Sequence, residues 1–343
     1  AQQMKRVKAS AVVTELRSTA IETQQQLKKL LTEAEKQGSV SSFHSYYIVN
    51  AMAVTSNEEV MKKIASLPDV EKILPNRTRK LNPQVEGAAE ETKASLTKAT
   101  DKAETNNTEW NIDRVGAPQV WSETGIDGSG VVVANIDTGV EWDHPALMDK
   151  YRGFDPANPD TADHEFNWFD ATAGQGTPYD DQGHGTHTMG TMVGAEEDGS
   201  NQVGVAPGSK WIGVKAFTAA GGTDVDLLEA GEWILAPKDD DGNPHPEQAP
   251  DVVNNSWGGG PGLDEWYRPM VQNWRESGIV PVFSAGNDGP GDGTIAAPSN
   301  YPESIAVGAT TATDGLASFS SRGPSPYDGE IKPDISAPGA NVR

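Results

Sequence analysis

Apolar side chains recur at helical spacing through residues 9–37, where Val13, Leu16, Ile21, Leu27, Leu30 and Leu31 stand among Gln, Lys and Glu. This periodicity predicts one long amphipathic helix, stopped by Gly38. The pattern then changes. Residues 43–54 (FHSYYIVNAMAV) are aromatic and β-branched and predict two strands, the Ser-Asn-Glu-Glu run from Ser56 resembles a capping box and predicts a short helix, and residues 70–74 predict a last strand. Helix, strands, helix and strand make most of a small α+β, ferredoxin-like plan that lacks only an opening strand, so the sequence is expected to start one strand late.

Residues 82–108 are poor in apolar side chains and rich in Ala, Thr, Lys, Glu and Asn, which leaves nothing to bury and predicts a linker. After Trp110 the texture becomes Gly-rich turns, continuous apolar runs and small-residue helices, the pattern of buried parallel strands covered by helices. Five runs stand out: GVVVANID ending at Asp137, KWIGVKAF near Lys215, DVVNNS near Asn254, GIVPVFSAGN ending at Asn287 and SIAVGATT near Val307. The expected organisation is a small α+β unit over 1–81, a linker over 82–108 and an α/β doubly wound parallel-sheet domain over 109–343.

Charge adds a relation between the two units. The 343 residues carry a formal net charge of -23, which argues against nucleic acid or an anionic membrane as partner. Residues 1–81 hold 13 Lys+Arg against 8 Asp+Glu, and the remainder holds 14 against 42. Opposite signs on adjacent segments suggest surfaces made to touch. Cysteine is absent, which excludes a disulfide framework and thiolate zinc sites without deciding the compartment. No run of 18 apolar residues occurs, and the opening AQQMKRVKAS has no signal-peptide core, so any export signal is expected to have been removed.

In open parallel sheets, reactive groups collect beyond the carboxyl ends of strands. Asp137 closes an apolar run and enters a Thr138-Gly139 turn, where a buried carboxylate needs a hydrogen-bonding partner to stay charged. His184, bracketed by Gly183 and Gly185 at the start of a small-residue helix, is a suitable partner: one ring nitrogen can bond the carboxylate and the other an attacking hydroxyl. Asn287, ending another strand, can donate to a developing oxyanion.

The motifs IDTG around Asp137, HGTHTMGTMVG from His184, GVAP from Gly204, NNSWGGG from Asn254 and SAGN from Ser284 resemble the subtilisin family, in its order and over residues 110–343. The resemblance implies a secreted serine endopeptidase acting on protein or peptide substrates, with Asp137 as orienting acid, His184 as general base and acid and Asn287 as oxyanion donor. It also implies that Ser256, Trp257 and Gly258 pair with an extended substrate on one side, and Gly221, Gly222 and Thr223 on the other. Residues 1–81 resemble the family's propeptide, an intramolecular inhibitor and chaperone, with maturation cleavage expected near residues 105–108. The family's Gly-Thr-Ser turn is absent: Ser336-Ala337-Pro338-Gly339 matches the motif before it, and Gly293-Thr294 is followed by Ile295. The nucleophile is therefore expected beyond residue 343, and the chain alone is expected to be inactive. The alternative is a fragment that acts as an inhibitory or interaction module for a complete protease.

Other readings fit less well. Asp-Thr-Gly also marks aspartic proteases, which pair two carboxylates, but it occurs once here. His184 and His187 form an H-x-x-H pair that, with Asp137 or Asp181, suggests zinc; no H-E-x-x-H is present, so no metal site is assigned and His187 is expected in the core. No cofactor is required for the chemistry. Structural calcium is a further expectation of the resemblance, although residues 196–202 depart from the family's calcium loop and Asp239-Asp240-Asp241-Gly242-Asn243 reads better as a solvated turn. Trp257 fits a pocket wall or the core equally.

Overall fold

In the computed structural model, which describes residues 2–81, 108–158, 161–196, 198–199 and 201–343, the N-terminal apolar stripe folds as two helices instead of one. Helices α1 (Gln2–Thr23) and α2 (Gln25–Lys36) meet at Gln24. That side chain is buried, donating to Tyr46 O and Asn50 Oδ1 at 3.1 and 2.9 Å and accepting from Ser45 Oγ. Inward partners for a polar side chain mark the place where the stripe breaks. Strands β1 (Val40–Tyr46) and β2 (Ala51–Ser56) form an antiparallel pair. Helix α3 (Glu58–Ala65) is capped by Asn57, one residue after the expected start, whose side chain accepts from Val60 N at 3.0 Å. Leu31, Ala34, Val40, Val60 and Ile64 close this unit's own core.

The strand expected over residues 70–74 does not form. Pro68 and Pro75 flank the segment, and Ile73 and Leu74 are 45% and 42% exposed. Instead the chain runs on to a short strand, β3 (Thr78–Arg79), whose partner lies in the second unit. Residues 82–107 of the expected linker lie outside the described residues, while Thr108 bridges Gln202.

The second unit opens with helices α4 (Trp110–Arg114) and α5 (Ala117–Thr124). It contains strands β4 (Val132–Asp137), β5 (Trp168–Asp170), β6 (Lys210–Lys215), β8 (Val252–Asn255), β9 (Val280–Ser284), β10 (Ile305–Thr310) and β11 (Ile335–Pro338), with the short β7 (Gly222–Thr223) apart from them. The seven form one parallel sheet in the order β11-β10-β9-β8-β4-β6-β5. All five expected strands are present, and β5 and β11 add the edges.

Helices α6 (His184–Val193), α7 (Asp224–Leu235) and α8 (Arg268–Ser277) cover the sheet. Strand alternation sends Val133 and Trp211 to one face, with Met189 and Val193 of α6, and Ala134, Ile136, Ile212 and Val214 to the other, with Leu227, Trp233, Met270 and Trp274. Strands β6 and β5 lie on one side of β4 and β8 to β11 follow one another outward on the other, so the chain crosses from one side of β4 to the other after β6, which puts the topological switch point at the carboxyl end of β4, where Asp137 sits.

The small unit docks on the α7–α8 face. Val13, Tyr46 and Ile48 join the core cluster of the large one. Glu232 of α7, 1% exposed, accepts from Tyr47 N and Ile48 N at 2.8 and 3.2 Å, and Asn273 Nδ2 donates to Ile48 O at 2.6 Å. Lys5 pairs with Asp251 at 2.6 Å. The division of charge between the segments thus includes direct contacts.

Candidate active site

Asp137 is fully buried at the end of β4, and its Oδ1 lies 2.6 Å from His184 Nδ1 at the first position of α6. Thr138 N also donates to Oδ1 at 2.7 Å, so the carboxylate has the partners that a buried charge needs. Gly185 permits this approach of helix to strand, because a Cβ there would stand 2.0 Å from Gly139 O. The imidazole is held through Nδ1, which leaves Nε2 for chemistry. Burial opposes its protonation, but the hydrogen bond and charge of Asp137, with a further contribution from Asp180, outweigh that and raise its pKa above the ordinary 6.5. Asp137 faces an imidazole and not a second carboxylate, which removes the aspartic-protease reading.

Two residues that the sequence reading did not single out organise this loop. Asp180 accepts from Gln182 N, Gly183 N, Thr186 N and the hydroxyls of Thr138 and Thr186, between 2.7 and 3.0 Å. Its signal was the Asp three residues before the glycine-bracketed stretch, an Asx-turn pattern. Burial disfavours its charge, but those hydrogen bonds prevail and hold its pKa below the ordinary 3.8. A depressed folded-state pKa stabilises above the unfolded value, and the contribution is lost as pH falls through the folded one. Asp180→Asn is therefore expected to flatten the acid limb of a stability-versus-pH curve below about pH 4, as measured by urea unfolding. The second residue is Lys215, fully buried at the end of β6, whose Nζ donates to Thr138 O and Phe217 O at 2.6 and 3.0 Å and pairs with Asp181 at 2.6 Å. It ties the acid's strand end to the loop carrying the histidine.

Beside this pair runs a cleft that the small unit enters. β3 pairs antiparallel with β7, Thr78 opposite Thr223 and Arg79 opposite Gly222, and Leu81 forms an antiparallel bridge with Trp257. Gly221, at φ +108°, accepts this backbone closely: a Cβ there would meet Arg79 O at 2.3 Å. Gly221, Gly222 and Thr223 thus line one side of residues 78–81 and the Ser256-Trp257-Gly258 stretch the other. Ser256 Oγ accepts from Asn254 Nδ2 at 3.0 Å. Trp257 decides its open question: its side chain is 1% exposed and packs edge-on to Tyr267 and Phe283, so the indole is core and its backbone faces the docked segment.

Asn287 lies half-buried at a bend just after β9, on the same carboxyl edge of the sheet as Asp137. His187 departs from expectation. It is exposed on α6, with Nε2 3.1 Å from Val342 O, because it lies across the helix from Met189, whose buried side chain faces the sheet. Among the described residues no group of three or more His, Asp or Glu could hold a metal ion. The oxygens of Asp239 are taken up within its turn, accepting from Asn243 N at 2.7 Å and Asn243 Nδ2 at 3.0 Å.

An α/β sheet with an Asp-His pair at its switch point and an inhibitor-like unit laid in the adjoining cleft defines a class of serine peptidase. The chain belongs to the subtilase family, whose model matches residues 128–343. Residues 3–82 match the peptidase inhibitor I9 model. The chain is 57% identical over 340 residues to Bacillopeptidase F of Bacillus subtilis (strain 168), covering 98% of this chain and 23% of that protein. It is 29% identical over 320 residues to Subtilisin E of the same strain, covering 92% and 68% respectively. It is also 28% identical over 300 residues to the Minor extracellular protease Epr of that strain, covering 87% and 39%. The chain thus spans less than a quarter of Bacillopeptidase F.

Proposed function

We propose that this chain is the inhibitor-bearing front part of a secreted serine endopeptidase precursor. The observation that carries the reading is the lodging of residues 78–81 between Gly222–Thr223 and Trp257, beside the Asp137–His184 pair. An extended segment held by backbone on both sides is how a polypeptide substrate would lie. The units are residues 1–81 as propeptide, 82–108 as a linker cut near residues 105–108, and 109–343 as the catalytic domain. Secretion accords with the likeness to an extracellular relative, and no helix among the described residues is long and apolar enough to cross a membrane. Catalysis in this family needs no cofactor.

In this reading a serine supplied from beyond residue 343 gives its proton to His184 Nε2 as its oxygen attacks the scissile carbonyl. His184 passes that proton to the departing amine when the carbon–nitrogen bond breaks. Water, deprotonated by the same nitrogen, then cleaves the ester and the serine recovers its proton. Asp137 holds the ring in the tautomer that presents Nε2 and stabilises the imidazolium. Asn287 donates to the tetrahedral oxyanion, while the backbone of Gly221, Gly222, Thr223, Ser256, Trp257 and Gly258 aligns the substrate. Asn287→Ala is expected to lower kcat about a hundred- to a thousandfold with KM little changed, a magnitude taken from subtilisin itself, and steady-state kinetics on an unstructured protein substrate measure it.

A labelled fluorophosphonate tests the whole reading. It should modify one serine of the processed full-length protein and leave His184→Ala nearly unlabelled. If residues 1–81 inhibit an intact subtilase while the full-length protein takes no label, the chain is an inhibitory module and the enzyme reading is lost.

A further inference from the structure

The docked segment brings one side chain into the catalytic domain with an unusual completeness of charge. Arg79 Nε donates to Asp224 Oδ1 at 2.7 Å and Nη2 to Asp264 Oδ2 at 3.2 Å. Its guanidinium carbon lies 5.7 Å from the centre of the Tyr267 ring, and Tyr267 donates its hydroxyl to the same Asp224 oxygen. Gly259 leaves room for the fork, since a Cβ there would stand 3.0 Å from Nη1. The Arg79 side chain is 13% exposed and that of Asp224 only 2%.

Asp224, Asp264, Tyr267 and Gly259 all belong to the catalytic domain, and among the described residues no cation of that domain pairs with either carboxylate. The counter-charge comes from the occupant alone. When the propeptide leaves, the domain keeps two acids at this place, Asp224 with its bond from the Tyr267 hydroxyl and Asp264, beside the strand position of Gly222. Two carboxylates side by side with no cation of their own domain give the cleft a preference for a positive charge at that place, since any occupant that covers them must also supply their partner. A planar fork on an aromatic face, reaching two carboxylates at once, suits arginine better than lysine.

We infer that Asp224 and Asp264 form a specificity recess that selects polypeptide substrates with an arginine at the residue pairing with Gly222. This rests on the cleft reading proposed above. Arg79 occupies the recess as the substrate's side chain does, and Leu81, two residues further along the docked segment, makes the bridge to Trp257.

The test compares a dye-labelled peptide of residues 77–81 with its Arg79→Met and Arg79→Lys forms, binding to the processed protein by fluorescence anisotropy. The Met form is expected to bind about tenfold or more weakly, with the Lys form between. In Asp264→Asn, a partly exposed position whose loss leaves the core intact, the gap between Arg and Met peptides should shrink to about threefold or less. A second readout uses the intact chain: hydrogen exchange at the amides of residues 78–81 should accelerate in Arg79→Met and in Asp264→Asn, and combining them should add little further. Equal binding of the Arg and Met peptides overturns the inference. So does coupling in the intact chain without discrimination between free peptides, which confines the pair to clamping the propeptide. Neither readout requires hydrolysis, so failure of the serine-protease reading shows separately, in the fluorophosphonate experiment.

Discussion

Replacing His184 by alanine in the processed full-length protein is expected to lower kcat by about a millionfold, and Asp137→Asn by about ten-thousandfold. These magnitudes are those of subtilisin and its triad counterparts, carried to this chain through the family. The direction follows from the site: without the imidazole nothing at 2.6 Å from Asp137 accepts the nucleophile's proton, whereas an amide at 137 leaves the ring present but free to take the wrong tautomer. The pH profile supplies a second check. The base must be neutral to act, and its pKa stands above 6.5 because Asp137 favours the imidazolium despite burial. The rate of kcat/KM therefore falls as pH drops through that raised value, and the acid limb lies above pH 6.5. In Asp137→Asn the charge that raises the pKa is gone, so the limb moves to lower pH. Active-site-titrated kinetics from pH 5 to 9 measure both. A His184→Ala variant within tenfold of the parent, or a limb that does not move, removes these residues from their roles.

The residues that carry this prediction were legible because local pattern announces them. An apolar run that ends in a carboxylate marks a strand terminus, and glycines on both sides of a histidine mark a close approach. What stayed hidden depends on partners remote in sequence. The break at Gln24 is set by Tyr46 O and Asn50, on the strand pair, and helical periodicity alone cannot register it. β3 was misplaced because its few residues pair with β7 in the other unit, so no alternation accumulates within their own surroundings. Lys215 entered the sequence reading only as a member of a strand run, and nothing local shows that its ammonium is buried against two carbonyls and Asp181. His187 was misread for a related reason: the helical motif around it is mostly small residues, so the apolar stripe that would orient the helix is too sparse to read.

Glu232 carries the other large effect. Its carboxylate sits 1% exposed on α7 and accepts the amides of Tyr47 and Ile48, while Lys238 pairs with its second oxygen at 3.0 Å. Glu232→Ala strands two donors of the small unit, the buried Ile48 N and the half-buried Tyr47 N, and leaves Lys238 without that partner. Losing one member of such a hydrogen-bonded charge cluster at an interface costs about 2–5 kcal/mol, so the cleaved propeptide should bind the mature domain about thirtyfold to several thousandfold more weakly. Glu232→Gln keeps an acceptor for the amides but not the charge, and charge-assisted bonds are about twice as strong as neutral ones, so its loss should fall well short of alanine's. Inhibition constants for released residues 1–81 against each processed variant measure the series. Val13, Tyr46 and Ile48 bury apolar surface at the same contact and are untouched by either change. If alanine weakens inhibition less than threefold, that apolar contact holds the propeptide by itself, and the opposite charges of the two segments serve encounter more than retention.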